Sequence, residues 1–289
     1  MKKCVFRGVC TALVTPFLDA KVNYPMAEQL LRRQIDAGVD AVVLAGTTGE
    51  APTLSDAEKI ELFRRCKSYT GDQCTIIAGT GSNSTEHAVA LSQAAEKAGA
   101  DALLVVTPYY NKATPSGLLR HYQSIAEAVS IPVIVYNVPS RTGVDIPVSV
   151  YQQLSAIPNI VGVKEASTDI GKLAKIRRIC ADELHIWSGN DDMTVPVISL
   201  GGQGVISVLS NICPAETKAI TQAALSGDYA TATALQLRLL PLIELLFCEV
   251  NPIPVKEAMR YIGYDCGPCR LPLTELSAEN KRKLAMYFA

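Results

Sequence analysis

The sequence predicts an α/β chain folded as a closed (β/α)8 barrel of the TIM type, followed by a C-terminal helical extension. Three observations predict it. Short β-rich runs recur roughly every 20 to 34 residues and each leads into a segment with helical spacing, the pattern of repeated βα units around a parallel sheet. Eight such runs follow one another without a Gly/Pro/Ser linker, and no GxGxxG turn follows the first, which favours a closed barrel over an open dinucleotide-binding sheet. Hydrophobic residues make up 48% of the 289-residue chain, ample for one large core.

The β-rich runs cover residues 8–14, 41–45, 75–78, 102–106, 133–136, 160–163, 184–187 and 204–208. After the first run, Ala27, Leu30, Leu31, Gln34 and Ile35 fall on one stripe of a helix that Gly38 stops. Ser55 with Glu58 has the spacing of a capping box opening the next helix. Beyond the eighth run the chain continues much further than one closing helix needs. Residues 214–226, 230–248, 255–262 and 277–288 have helical composition and apolar spacing, interrupted by Gly227, Asn251-Pro252 and Gly267-Pro268. The expected division is a catalytic barrel over residues 1–225 and a helical extension packed on it over residues 226–289.

Charge narrows the partners. A net charge of -1, spread over interleaved acids and bases, leaves no basic stripe for nucleic acid or an anionic membrane, so a small-molecule partner is expected. Lys2 and Lys3 precede a stretch broken by Arg7, Gly8 and Thr11, which is no signal-peptide core, and no apolar run approaches membrane-spanning length. Nine scattered cysteines, an odd number, suit reduced thiols in a cytoplasm. Cys266-Gly267-Pro268-Cys269 spells a thioredoxin-type redox motif, but Arg270-Leu271-Pro272 blocks the helix that such chemistry requires after its first cysteine. The three histidines are distant in sequence, so no metal site is expected.

In such a barrel the active site lies at the C-terminal ends of the strands. The second run ends in Gly46-Thr47-Thr48-Gly49-Glu50, the third in Gly79-Thr80-Gly81 and the fourth in Thr107-Pro108-Tyr109-Tyr110-Asn111. The fifth ends in Tyr136-Asn137-Val138-Pro139-Ser140-Arg141, the sixth in Lys164, the seventh in Ser188-Gly189-Asn190-Asp191, and the eighth lies within the segment from Gly201 to Ser207. An ammonium at a buried strand end loses solvation, and the neutral amine attacks a carbonyl carbon to form a Schiff base. Taken alone, a strand-end lysine more often snorkels to the rim and pairs with a neighbour such as Glu165. The surrounding set reverses that balance. Tyr136 offers a phenol that relays protons, Thr47 and Thr48 offer hydroxyls and backbone N–H groups for a carboxylate, and Arg141 offers a planar guanidinium for a second carboxylate. The Gly-Thr-Thr-Gly segment also reads as an ordinary βα turn, and residues 201–204 as a tight turn or a barrel phosphate site. The coincidence of all these groups at the strand ends favours catalysis on a small 2-oxo acid.

The GTTGE segment, the TPYYNK segment, the YNVPSRTG segment from Tyr136, the VGVKEAS segment and the GGQGVISV segment, with NPIPVKEAM from Asn251 and RLPLTEL from Arg270, resemble the dihydrodipicolinate synthases. These belong to the pyruvate-dependent Schiff-base lyases, and the likeness runs in order over nearly the whole chain. The resemblance implies condensation of pyruvate with L-aspartate 4-semialdehyde to 4-hydroxy-tetrahydrodipicolinate in lysine and diaminopimelate biosynthesis. It implies an imine on Lys164 and no other cofactor. Thr47, Tyr136 and Tyr110 would form a proton relay, with Tyr110 supplied by a neighbouring subunit of a homo-oligomer, a tetramer in typical relatives. Thr48 would hold the pyruvate carboxylate and Arg141 that of the semialdehyde, with the Ile206 carbonyl near the site and Gly189 and Asp191 shaping it.

Two alternatives stand beside this reading. N-acetylneuraminate and 2-keto-3-deoxy sugar acid lyases share the lysine and the tyrosine, but the neuraminate lyases lack the Ser-Arg-Thr-Gly run around Arg141. A non-catalytic or redox barrel using Cys266 and Cys269 is the third reading. In lysine-inhibited members an effector site lies between subunits, and its positions correspond here to Ala51, Asp56, Lys59, Asn83, His87 and Tyr109. Asp56, Lys59 and His87 are altered there, Ala51-Pro52 replaces a small polar pair, and weak or absent lysine inhibition is expected.

Overall fold

The computed structural model describes residues 2–289. Eight parallel strands close into a barrel: β1 (Gly8–Ala12), β4 (Ala41–Leu44), β5 (Thr75–Gly79), β6 (Ala102–Val106), β7 (Val133–Asn137), β8 (Ile160–Glu165), β9 (His185–Ser188) and β10 (Gly204–Ser207). Each matches one β-rich run. A two-stranded hairpin, β2 (Phe17–Leu18) and β3 (Lys21–Val22), follows β1 and was not visible in the apolar pattern because its strands are two residues long.

The helices around the barrel are α1 (Tyr24–Asp36), α2 (Asp56–Thr70), α3 (Thr85–Lys97), α4 (Pro115–Glu127), α5 (Pro139–Thr142), α6 (Val148–Leu154), α7 (Ile170–Cys180), α8 (Thr194–Ser199) and α9 (Pro214–Leu225). Three more follow: α10 (Tyr229–Leu246), α11 (Ile253–Tyr261) and α12 (Ala278–Phe288). Gly38, at φ +72, ends α1 in the left-handed conformation that glycine adopts without a Cβ penalty. Gln34, on the buried stripe of α1, is satisfied there: the Thr11 hydroxyl donates to Gln34 Oε1 at 2.7 Å, and Gln34 Nε2 donates to the Ser210 carbonyl at 3.2 Å. The Ser55 capping box is formed. No helix among the described residues is long and apolar enough to cross a membrane.

Alternation along the strands builds two cores. Ala41, Val43, Ile77, Leu104, Ile134, Tyr136 and Ile206 fill the lumen, while Val42, Leu44, Ile76, Leu103, Val105, Val133 and Val135 face the helices. At the base, Phe6 stacks on Trp187 with ring centroids 4.9 Å apart and closes the lumen from below. The alternation breaks once where it matters. Val133 pairs with Ile160 but Ile134 pairs with Gly162, so β8 carries one extra residue, Val161, against β7. From there on, Tyr136 lies opposite Lys164 and both face the lumen. A side chain on Gly162 would strike the Trp187 ring, so the bulge needs this glycine.

Candidate active site

Lys164 lies inside β8 rather than at its last residue, and it is 5% exposed. Its Nζ stands 4.3 Å from the centroid of the Tyr136 ring. Glu165 points to the opposite face, as neighbours in a strand must. There its carboxylate accepts from Asn137 Nδ2 at 2.8 Å, the Tyr151 hydroxyl at 2.7 Å and the Ser167 amide at 2.9 Å, with Lys172 Nζ 3.7 Å away. The snorkelling reading, in which Lys164 pairs with Glu165, therefore fails. Burial and the adjacent carboxylate push the Tyr151 phenol well above its ordinary range, so it donates and stays neutral.

The loop after β4 carries Thr47 and Thr48 between two non-glycine residues with positive φ, Ala45 at 49° and Glu50 at 57°. Such conformations persist only where the surroundings hold them. The Glu50 amide donates to the Thr47 carbonyl at 3.0 Å, and the Glu50 carboxylate is held from α11 and the loop after it: Lys256 Nζ at 2.8 Å and the Arg270 amide at 2.8 Å. Asn251 donates from Nδ2 to Thr48 Oγ1 at 3.0 Å. Arg141, in the short α5, donates to the Asn251 carbonyl at 3.4 Å.

Thr47, Tyr136 and Arg141 line one cleft of about 640 Å³ at the C-terminal ends of the strands, together with Gly79 and Gly81. A Cβ on Gly79 would strike the Ala45 carbonyl, so this position holds the loop close against β5. Asp191 lines a second cleft, with Pro139, Ser140, Ala166, Ser167 and Asn190. Its Oδ2 accepts from the Val208 and Leu209 amides at 3.0 Å each, and burial raises its carboxyl above the ordinary range. Gly189 donates its amide to the Glu165 carbonyl at 2.8 Å, and a Cβ there would lie 2.6 Å from that of Ala166. The Ile206 side chain is fully buried in the luminal core. Tyr110, at φ 75° and 89% exposed, is not among the residues that line its own chain's cleft.

Ala51, Asp56, Lys59, His87 and Tyr109 line the outer end of the first cleft; Asn83 is not in the lining, and its carbonyl accepts from Asn111 Nδ2 at 2.8 Å. His87 Nε2 is 2.8 Å from Asp56 Oδ2, its Nδ1 is 3.1 Å from Ser82 Oγ, and Lys59 Nζ is 3.8 Å from Asp56 Oδ1. Burial draws the Lys59 ammonium below its ordinary range.

Gly201 and Gly202 precede β10 and Gly204 opens it, so these glycines sit at the N-terminal end of the barrel, which removes the phosphate-site reading. Cys266 and Cys269 are free thiols, and burial pushes both up to about 12. Dithiol redox chemistry needs a lowered thiol, which this burial opposes. The Cys266 carbonyl accepts from the Phe17 amide at 2.9 Å, and Lys256 donates to the Pro268 carbonyl at 3.0 Å. Among the described residues, no three His, Cys, Asp or Glu converge in a metal-binding arrangement.

The model of the dihydrodipicolinate synthetase family matches residues 5–288. The chain belongs to this family. It is 49% identical over 277 residues to the 4-hydroxy-tetrahydrodipicolinate synthase of Thermoanaerobacter pseudethanolicus, covering 96% of this chain and 93% of that protein. Among solved structures, the dihydrodipicolinate synthase from Aquifex aeolicus is 41% identical with a TM-score of 0.96, covering 98% of this chain and 97% of that one. A monomeric dihydrodipicolinate synthase variant is 40% identical with a TM-score of 0.95, over 98% of this chain and 95% of that one. Among the residues just described, Asn251, Glu50 and Lys256 were missed as site residues. Asn251 and Lys256 fall in the NPIPVKEAM segment, which lies beyond the last barrel strand and so outside the strand ends searched for chemistry, and Glu50 directly follows the threonine loop.

Proposed function

We infer that the chain is a 4-hydroxy-tetrahydrodipicolinate synthase, which condenses pyruvate with L-aspartate 4-semialdehyde. The observation that carries this reading is the luminal pairing of Lys164 with Tyr136 beneath a cleft lined by Thr47 and Arg141, in a chain of this family. The Lys164 amine attacks the ketone carbon of pyruvate, water leaves, and the imine loses a methyl proton to become an enamine. The enamine carbon attacks the aldehyde of the semialdehyde. The amino group of the adduct then displaces Lys164 as the ring closes, so the lysine is regenerated and the imine is the only cofactor-like group. Tyr136, Thr47 and Tyr110 pass the protons of the carbinolamine and imine steps. Thr48 holds the pyruvate carboxylate beside the Ile206 carbonyl, Arg141 grips the carboxylate of the semialdehyde, and Gly189 and Asp191 shape the site indirectly, by holding the Glu165 carbonyl and the Val208 and Leu209 amides.

The exposure of Tyr110 in the single chain supports its delivery to a neighbour's site, hence a homo-oligomer, with a tetramer as the assembly proposed. Nine free cysteines suit a cytoplasmic enzyme. Asp56, the carboxylate that lines this end of the cleft, is already engaged by His87 and Lys59, which supports weak or absent lysine inhibition. Arg141 separates this reading from the neuraminate and keto-deoxy sugar acid lyases, whose substrates offer no short acidic aldehyde.

The test is pyruvate-dependent turnover of aspartate 4-semialdehyde, coupled to a reductase that oxidises NADPH, with borohydride trapping of pyruvate in parallel. Turnover and trapping that both vanish in Lys164→Ala are expected. Turnover unchanged in Arg141→Ala would overturn the choice of second substrate, and cleavage of sialic acid or keto-deoxygluconate would replace it.

A further inference from the structure

A threonine hydroxyl has one proton and two lone pairs, and what it offers a ligand depends on which of these are already taken. At Thr48 one lone pair is taken by a residue from outside the barrel. Asn251, between α10 and α11, is 5% exposed and donates from Nδ2 to Thr48 Oγ1 at 3.0 Å across 203 positions of sequence. The carbonyl of the same residue accepts from the Arg141 guanidinium. Its Oδ1 is buried and unpartnered, so the amide is not anchored as an acceptor.

We propose that Asn251 is a positioning residue of the carboxylate site, acting through Thr48. With an N–H already directed at its oxygen, the Thr48 hydroxyl points its proton into the site and is fixed as a donor before the ligand arrives. The chain from amide N–H through hydroxyl to carboxylate is polarised in one direction, and each link strengthens the next. Through its carbonyl, Asn251 also orients Arg141, so one residue of the C-terminal segment serves both anion-binding groups. The proposal rests on the reading that Thr48 holds the pyruvate carboxylate.

The experiment measures the pyruvate concentration giving half-maximal borohydride trapping on Lys164, by mass spectrometry of the intact chain, with acetone as a probe that forms an imine but has no carboxylate. Asn251→Ala is expected to raise the half-maximal pyruvate concentration about ten- to a hundredfold, the range for loss of a hydrogen bond serving a charged group, and to leave acetone trapping unchanged. In a Thr48→Val background, Asn251→Ala should add less than about a twofold further loss, because the pair acts as one unit. Asn251→Asp keeps the shape but offers an acceptor, so Thr48 must turn its proton away from the ligand, and pyruvate binding should fall at least as far as in the alanine variant. Asn251→Ser carries the same expectation as Asn251→Ala if the latter does not fold. Unchanged pyruvate trapping in Asn251→Ala, near-parental trapping in Asn251→Asp, or parallel loss with pyruvate and acetone would each overturn the proposal while leaving the imine intact. No trapping of pyruvate on the parent protein would instead overturn the imine reading on which it stands.

Discussion

Lys256 and Glu50 form an ion pair with side chains 4% and 0% exposed, and it ties α11 to the loop that carries Thr47 and Thr48. Replacing Lys256 by methionine keeps most of the volume over the Phe17 ring, which lies 4.4 Å from the ammonium, but strips Glu50 of its counter-charge. Glu50 then retains the Arg270 amide and the Cys269 thiol, but no ion-pair partner on Oε1. Removing one partner of a buried pair costs about 3–5 kcal/mol, because the remaining charge is left in a medium that does not solvate it. For a chain of this size that is a fall in melting temperature on the order of 10 °C. The assay is urea unfolding followed by far-UV circular dichroism, with the loop's integrity read as the half-saturation for pyruvate. The paired variant Glu50→Gln with Lys256→Met removes both charges and should regain more than half of the lost stability. A single Lys256→Met variant within about 1 kcal/mol of the parent, or a paired variant no more stable than the single one, would refute the reasoning, since both outcomes mean the carboxylate is solvated after all.

Three further outcomes are expected. If Tyr110 acts in a neighbour's site, mixing inactive Lys164→Ala with inactive Tyr110→Phe protein and reassembling the oligomer should restore turnover, because some sites then combine an intact lysine with an intact tyrosine; no recovery would place Tyr110 in its own chain's site. Burial pulls His121 from 6.5 down to about 4, so above pH 6.5 it contributes no pH dependence, and stability falls by roughly 3 kcal/mol between pH 6.5 and 4 as the unfolded state takes up a proton that the folded state refuses. His121→Gln should flatten that part of the urea-midpoint profile against pH. L-lysine should inhibit turnover weakly or not at all, and inhibition at submillimolar concentration would contradict the pairing of Asp56 with His87.

Much of the barrel was legible because its strands are apolar runs separated by helical spacing, a signal that depends only on local side-chain type. The strand ends were legible for the same reason: chemistry-bearing residues stand out against an apolar background, as Lys164 does after Val163 and Arg141 does after Pro139-Ser140. The hairpin after β1 was not, since two-residue strands carry no period. Nor were the roles of Asn251 and Lys256, whose partners lie 203 and 206 residues away. The spread of Arg141 and Asp191 over two clefts was equally invisible, because it depends on where α5 packs.

What the sequence determined by itself was the βα repeat, the lysine and the set of groups at the strand ends, all of which follow from residue type and order. The direction in which Lys164 points was decided only by the tertiary structure. Counting alternately along β8 from Ile160, which faces the helices, would aim residue 164 at the helices as well. The extra residue at Val161 reverses that parity, brings Lys164 into register with Tyr136 and sends Glu165 outward to Asn137 and Tyr151. A bulge is set by how one strand registers against the next and by the room that Gly162 leaves for Trp187, and neither is a property of the segment taken alone.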